Sequence, residues 1–231
     1  MIPIAGDVPR TGRPMVNALL LLVNAGAFLY QQTLPPLEAG QIYFRLGCIP
    51  REIVHLIDTG PSALVPLPLT LVTSLFLHEG WIHLILNMLF LWVFGNGVEA
   101  RLGHLRYAAF FLGCGAAASM TQAAFHPASN IPVVGAGGAV SAVMAAYLVF
   151  HPTARIKTLA FWFLPVRVVR IPAPVFLGAW IAARFVAGLS QQAGNDGVAW
   201  FAHLGGFSAG LAVGLKTRYR KRDRSKRKKR K

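Results

Sequence analysis

The chain has 231 residues, of which 55% are hydrophobic and only 13% are charged, and its mean hydropathy is +0.51. Soluble domains carry about 25% charged residues, so this composition excludes an ordinary soluble domain. The formal net charge is +15. A charge of this size favours an acidic partner, either nucleic acid or an anionic membrane surface.

The positive charge is concentrated at the C-terminus. Residues 216–231 hold twelve Lys or Arg against one acid, Asp223, and they directly follow an apolar segment. Such a run is typical of a solvated, disordered segment that contacts anionic lipid headgroups. We therefore predict a basic cytosolic tail over 216–231 with anionic lipids as partners, and we expect no nucleic-acid partner.

The rest of the chain is predicted to be an all-α membrane domain, residues 15–215, preceded by a cytosolic N-terminal tail, residues 1–14. The apolar run after this tail lacks a small-residue cleavage site, so it is interpreted as a retained helix and not as a signal peptide. Apolar runs of spanning length, or close to it, recur along the chain. In chain order the predicted spans are 15–34, 81–98, 107–125, 137–150, 172–189 and 198–215.

Two connections between the spans contain apolar patches. The first loop, residues 35–69, is long for a compact domain, and loops of this length are usually functional or disordered. Its short apolar patches predict that it folds onto the membrane interface. The 151–171 connection is basic, and its apolar core from Leu159 to Leu164 is expected to lie in the interface.

The charges of the connections predict the orientation of the spans. Six spans place both termini on one side, and that side carries 20 Lys or Arg, whereas the loops of the other side carry only Arg45 and Arg51. Positive residues accumulate on the cytosolic side of membrane proteins. We therefore predict a multi-pass protein of the plasma (cell) membrane with both termini cytosolic.

Polar residues inside the spans are expected to converge at one depth. His83 and Asn87 lie four residues apart on the second span, His203 lies near the start of the sixth, and Gly137 begins the fourth. These three spans all run from outside to inside, so their polar residues reach a similar level. Small residues on the fourth and sixth spans should allow close packing of the two helices. They are Gly138, Ala142, Ala145 and Ala146 on the fourth, and Gly206, Gly210 and Gly214 on the sixth.

A convergent polar cluster has three interpretations. It can be a structural contact between helices, a metal site, or a catalytic site. A metal site would need His78 or Glu79 to fold in as a further ligand. Cys48 and Cys114 lie far apart in sequence and indicate neither a metal cluster nor a disulfide framework. The spacing favours a catalytic site that has no metal and no cofactor.

The chain resembles the rhomboid intramembrane serine proteases over about residues 15–215, which implies a six-transmembrane-helix rhomboid-like bundle. Four motifs carry the resemblance, and together they are highly specific. They are His78…His83…Asn87, Glu99-x-Arg101-Leu102-Gly103, Gly135-x-x-Gly138 and Ala202-His203-x-x-Gly206-x-x-x-Gly210.

The resemblance implies roles for the matching residues. In the family the turn reads Gly-x-Ser-Gly, the Ser is the nucleophile, and a His on the sixth span is its general base. His203 would hold that base role here. His83 and Asn87, with a backbone N–H of the turn, would form the oxyanion hole. His78, Ser141, Gly135, Gly138, Gly206 and Gly210 would support the site.

Three departures from the family pattern bear on activity. Gly137 stands where the family has its Ser, and loss of a serine-protease nucleophile costs roughly 10⁶-fold in rate. Ser141 replaces a frequently aromatic residue and could hydrogen-bond His203 instead. As a replacement nucleophile it would lie about 6 Å deeper along the helix, below the oxyanion donors. A Trp-Arg pair of some members is Leu69-Thr70 here, which puts the anchoring of the first loop in doubt.

Three functions are compatible with these residues. The first is a rhomboid-type serine endopeptidase fold that recognises transmembrane helices as substrates or clients but is inactive because of Gly137. The second is an active serine intramembrane protease whose sequence here carries an inactivating substitution. The third is a non-proteolytic membrane scaffold or transporter, which the intramembrane Arg184 would fit, although that arginine is expected to extend to the outer headgroups.

Overall fold

The computed structural model describes residues 1–8, 12–57, 65–160, 167–190 and 199–229, with only the backbone described for residue 190 and residues 221–229. Among these residues the fold is mostly helical, as the sequence predicts. The helices are α1 (Met15–Thr33), α2 (Pro36–Leu46), α3 (Pro50–His55), α4 (Leu67–Thr73), α5 (Trp81–Leu102), α6 (His104–Phe125), α7 (Gly137–Phe150), α8 (Ala173–Ser190) and α9 (Trp200–Lys229). A single 3₁₀ turn, Ser74–Phe76, follows α4.

Helices α1, α5 and α6 are each long and apolar enough to cross a membrane, and α7 and the segment Ala173–Leu189 are shorter apolar helices. The predicted spans coincide with α1 and with α5 to α9, although their ends differ by a few residues in most cases. Helix α7 has the predicted bounds. The predicted start of the sixth span, Val198, lies outside the described residues. The number of spans stays a prediction.

Helix α7 is the centre of the bundle. Of its 14 residues, all but Leu148 and Phe150 are buried. Its small-residue face packs against α9 with almost no space between the two backbones. A Cβ built on Gly206 would collide with the Gly138 carbonyl, and one built on Gly210 would collide with the Ala142 carbonyl. The predicted pairing of the two small-residue faces is therefore confirmed, and it fixes α9 relative to the start of α7.

The first loop is largely helical and is attached to the segment before α7. Helices α2, α3 and α4 lie within it, while residues 58–64 are outside the described part. Cys48 forms an isolated antiparallel bridge with Val133, and the Arg51 N–H donates to the Ser129 carbonyl at 3.1 Å. These bonds connect the loop to the residues that lead into α7. The interface location of the loop stays a prediction.

A small three-stranded antiparallel sheet joins the N-terminus to the 151–171 connection. Its order is β1 (Ile2–Gly6), β2 (Arg155–Ala160), β3 (Arg167–Pro172), with Ile2 opposite Leu159 and Arg155 opposite Pro172. The sequence predicts only a tail and an interfacial segment here. In β2 the fully buried residues Ile156 and Thr158 are separated by one less buried residue. This alternation is typical of a strand, and no strand is predicted here from the sequence. Residues 161–164 of the predicted interfacial core are outside the described part.

The prediction of a disordered C-terminal tail is wrong for the described backbone. Helix α9 continues beyond Leu215 as far as Lys229. Lys and Arg are good helix formers, and residues 215–229 contain no Gly or Pro that would end the helix. The side chains of 221–231, which hold most of the predicted lipid-binding charge, lie outside the described residues.

Glu99 on α5 forms hydrogen bonds with α1, and α5 is also the helix that carries His83 and Asn87. Its buried carboxylate accepts hydrogen bonds from the N–H groups of Val16 and Asn17 at 2.9 and 2.7 Å, in the first turn of α1. A negative charge is favourable at this end of a helix. The Nδ1 atom of His104 lies 2.5 Å from the same carboxylate.

Candidate active site

The turn before α7 has a backbone conformation that favours glycine. Gly135 has φ = +106°, and its N–H donates to the Ser74 carbonyl at 2.8 Å. A side chain there would be strained, and a Cβ would also lie 2.6 Å from Cε1 of His83. The turn therefore places the backbone of Gly135 next to the imidazole of His83.

His203 faces the first residue of α7. Its Nδ1 lies 3.0 Å from the Ala199 carbonyl, which can only accept a hydrogen bond, so geometry assigns the proton to Nδ1 in the neutral ring. Nε2 is then free to accept. A Cβ built on Gly137 would lie 2.7 Å from that Nε2 atom. The sequence placed these two residues at one depth, and the structure brings them into contact.

Asn87 and His83 lie on the same side of the turn as expected. The Asn87 side chain is buried, and its Nδ2 group has no hydrogen-bond partner among the described residues. This Nδ2 would lie 3.7 Å from a Cβ on Gly135. An unpaired donor beside the turn is what an oxygen of a bound carbonyl would need.

His78 lies behind His83 as a contact residue. The two rings meet edge to face with centroids 5.1 Å apart, and His78 is fully buried. The backbone of His78 exchanges hydrogen bonds with the Gln31 side chain, and its carbonyl accepts from the Tyr43 hydroxyl at 3.1 Å. Burial, and then Glu79 nearby, raises the pKa of Tyr43, so this hydroxyl remains a donor.

A cavity of about 350 Å³ opens over these groups. It is lined by residues of the 3₁₀ turn, of the turn before α7, and of helices α5 to α9, and these include His83, Asn87, Gly137, Gly138 and His203. The structure thus collects most of the predicted site residues around one space. Glu79 lines its edge, and burial raises the pKa of this carboxyl.

Ser141 does not reach His203. It is fully buried in α7, and its hydroxyl donates to the Gly137 carbonyl at 2.6 Å. The expectation that it could hydrogen-bond His203 is therefore not met, because the hydroxyl is satisfied within its own helix. The same bond leaves little support for Ser141 as a replacement nucleophile.

Sequence reasoning missed the position of Arg184. Its guanidinium lies 5.0 Å from the ring centres of both Trp180 and Trp200, and it lines the cavity instead of only extending to headgroups. The i,i+4 spacing of Trp180 and Arg184 on one helix was the available signal. Within the described ranges, no three His, Cys, Asp or Glu side chains form a metal-binding group, so the metal interpretation gains no support.

Comparison with known proteins supports the resemblance to the rhomboid family. The model of the rhomboid domain family matches residues 68–220, which include α5, α6, α7, α8 and the first two thirds of α9. The chain is 28% identical over 155 residues to Rhomboid protein 1, mitochondrial, of Saccharomyces cerevisiae, covering 63% of this chain and 41% of that protein. It is 32% identical over 154 residues to RHOMBOID-like protein 12, mitochondrial, of Arabidopsis thaliana, covering 59% and 43%.

A third relative is Presenilin-associated rhomboid-like protein A, mitochondrial, of Danio rerio, with 29% identity over 115 residues, 49% of this chain and 30% of that protein. The chain spans less than half the length of each of these relatives. Their names contradict the predicted plasma-membrane location, because they are named as mitochondrial, while residence in a membrane is supported. The matched domain covers well over half of the sequence, and the chain belongs to the rhomboid family.

Proposed function

We propose that this chain is a rhomboid-fold pseudoprotease, which binds transmembrane helices of other proteins without cleaving them. One observation carries the proposal. Gly137 faces the free Nε2 of His203, at the position where the family nucleophile is expected, and it brings no hydroxyl. Without a nucleophile no acyl-enzyme forms, and the remaining groups can only bind.

The binding role is supported by what surrounds Gly137. The cavity of about 350 Å³ is large enough for a short peptide segment. Its wall offers the unpaired Nδ2 donor of Asn87 to a backbone carbonyl. The names of the mitochondrial relatives extend the proposal to a mitochondrial membrane, with both termini on the side that carries the basic residues.

An active protease whose sequence here carries an inactivating substitution is the second candidate. This candidate is favoured because a side chain at residue 137 would displace only the imidazole of His203. A Cβ there would approach Nε2, Cε1 and Cδ2 of His203, which are the outer atoms of one side chain and not backbone. A small rotation of the imidazole would accommodate a serine beside its base.

The test compares four chains reconstituted in proteoliposomes with a model transmembrane substrate that has a helix-breaking segment. They are the present chain, Gly137→Ser, Gly137→Ala, and the Gly137→Ser, His203→Ala double variant. We expect cleavage and fluorophosphonate labelling only for Gly137→Ser, and co-purification of the uncleaved substrate with the present chain.

Two results would count against the pseudoprotease proposal. Cleavage by the present chain would contradict it directly, and so would failure of the substrate to bind. Gly137→Ala separates chemistry from packing, since it introduces the same Cβ without the hydroxyl. Circular dichroism and gel filtration of all four variants check that they fold. Solute flux that vanishes in Arg184→Ala would instead favour the transporter alternative.

A further inference from the structure

We propose that Arg184 is a carboxylate-recognition residue, which selects transmembrane segments that carry Asp or Glu close to the residue lying over Gly137. The inference rests on the proposed binding function and adds the chemical class of the segment that is bound. It concerns Arg184 on α8 and Trp200 at the first position of α9, two cavity-lining residues that lie outside the four motifs.

The guanidinium is held in a defined place. It lies over the ring of Trp180 from its own helix and over the ring of Trp200 from α9, at 5.0 Å from each ring centre. Cation–π contacts of this kind fix the planar group but leave its N–H donors at the edge of the plane unused. The two indoles therefore present Arg184 to the cavity as a fixed set of donors.

The charge of Arg184 has no carboxylate partner among the described residues. The ion pair between His104 and Glu99 lies on other helices. Glu79 lines the same cavity, but no salt bridge between it and Arg184 is present among the described residues. A cation within a membrane-spanning helix is costly without a partner, and a planar guanidinium pairs best with a carboxylate or a phosphate through two parallel hydrogen bonds.

The distance to the site limits where the acidic residue can lie in the bound segment. The rings that hold Arg184 also contact His203, with centroids 5.8 Å away for Trp180 and 6.2 Å away for Trp200. An extended chain covers about 3.3–3.6 Å per residue. A carboxylate on Arg184 therefore belongs to a residue within about three positions of the one over Gly137.

A lipid phosphate is the other group that Arg184 could bind, since the residue lies in the outer part of α8. The peptide carboxylate is favoured because the guanidinium lines the same cavity as Gly137 and His203. A segment bound at these residues would bring its own acidic side chain to Arg184. The experiment must nevertheless separate the two sources.

The experiment measures the affinity of fluorescent model transmembrane peptides for the full chain in maltoside micelles, which contain no phosphate. One peptide carries Asp near the predicted contact position, a second carries Asn there, and a third carries Lys. The Asp is then moved one residue at a time. We expect the Asp peptide to bind about five- to tenfold more tightly than the Asn peptide, as for a partly exposed charged hydrogen bond, and the Lys peptide to bind most weakly.

Variants assign the preference to the residue. Arg184→Gln should reduce the Asp-to-Asn affinity ratio to about one, and Arg184→Lys should retain only part of it because Lys cannot form two parallel bonds. Arg170→Gln is the matched control, since Arg170 is exposed on β3 away from the cavity and should keep the full ratio.

Three results would overturn the inference, and they are distinguishable. Equal affinities for the Asp and Asn peptides would refute the role of Arg184 while leaving the binding function intact. Absence of binding by every peptide would refute the binding function and this inference with it. A preference for Asp that disappears when phosphatidylglycerol is added would assign Arg184 to lipid phosphate instead.

Discussion

Gly137 and His203 are so close that a Cβ on the glycine would lie 2.7 Å from Nε2 of the histidine. The backbone at 137 is thus already in the position from which a side-chain hydroxyl would meet its base. The atoms of His203 nearest to that Cβ are Nε2 and Cε1, the outer atoms of the imidazole, which can move aside for a small side chain.

If Asn87 is the oxyanion donor that the family resemblance implies, it should control the rate of the Gly137→Ser variant. In the Gly137→Ser background, Asn87→Ala should lower kcat by roughly 10²- to 10³-fold, the usual effect of losing one oxyanion donor, with a smaller change in KM. Ser141→Ala in the same background is the control, because the Ser141 hydroxyl is used within α7. A loss of activity in that control as large as in Asn87→Ala would contradict these assignments.

Stability should be especially sensitive to added side-chain volume where α7 contacts α9. Gly210→Ala places a Cβ against the backbone of Ala142, which cannot move aside, so we expect a loss of about 1–3 kcal/mol in the free energy of unfolding. Gly178→Ala on α8 meets nothing within 4 Å and should be neutral or slightly stabilising. Thermal and denaturant unfolding in micelles would measure both, and equal effects would refute this packing account.

Glu99 should matter for the docking of α1. Glu99→Gln replaces a buried carboxylate oxygen by an NH₂ donor that faces the N–H groups of Val16 and Asn17, so about 1–3 kcal/mol of stability should be lost. Glu38→Gln on the exposed surface of α2 is the control and should change little. Unfolding midpoints that shift equally for the two variants would count against the proposed role of Glu99.

His151, just after α7, should make stability depend on pH. Burial lowers its pKa, the hydrogen bond to the Gly97 carbonyl opposes this, and Arg101 lowers the pKa further. Folding therefore favours the neutral ring. Its contribution is fully present above the unfolded pKa of about 6.5 and is lost as the pH falls below that value toward the lowered folded pKa.

The check is the unfolding midpoint between pH 7.5 and pH 5. The present chain should lose stability toward pH 5, and His151→Gln should lose less of it. His55→Gln, which changes an exposed histidine on α3, serves as the control. A pH dependence that is the same in His151→Gln as in the present chain would contradict the prediction.

The helices and the centre of the site could be predicted because their signals are local. Helix α7 begins where the Gly-rich turn ends and stops where its apolar run stops, so the sequence predicts both of its bounds. The depth at which His203 and Gly137 meet followed from the direction of the spans alone. The side on which Asn87 lies followed from its spacing to His83.

The parts that were missed depend on contacts between distant segments. Nothing near Ile2 indicates that Ile2–Gly6 pairs with Arg155–Ala160, because strand pairing is set by residues far away in sequence. The tail was expected to be disordered on charge alone, although its residues favour helix. The sequence predicts that Arg184 extends to the lipid headgroups, because the Trp200 ring that its guanidinium contacts belongs to another helix.

The backbone contact of α7 with α9 also determines what a substitution at residue 137 can change. The distance from residue 137 to His203 is set by main chains that touch at Gly206 and Gly210, and not by the side chain at 137 itself. The packing of these main chains is therefore independent of whether residue 137 carries a hydroxyl. Under the proposed function, a single substitution at 137 would therefore separate a chain that binds a helix from one that also cleaves it.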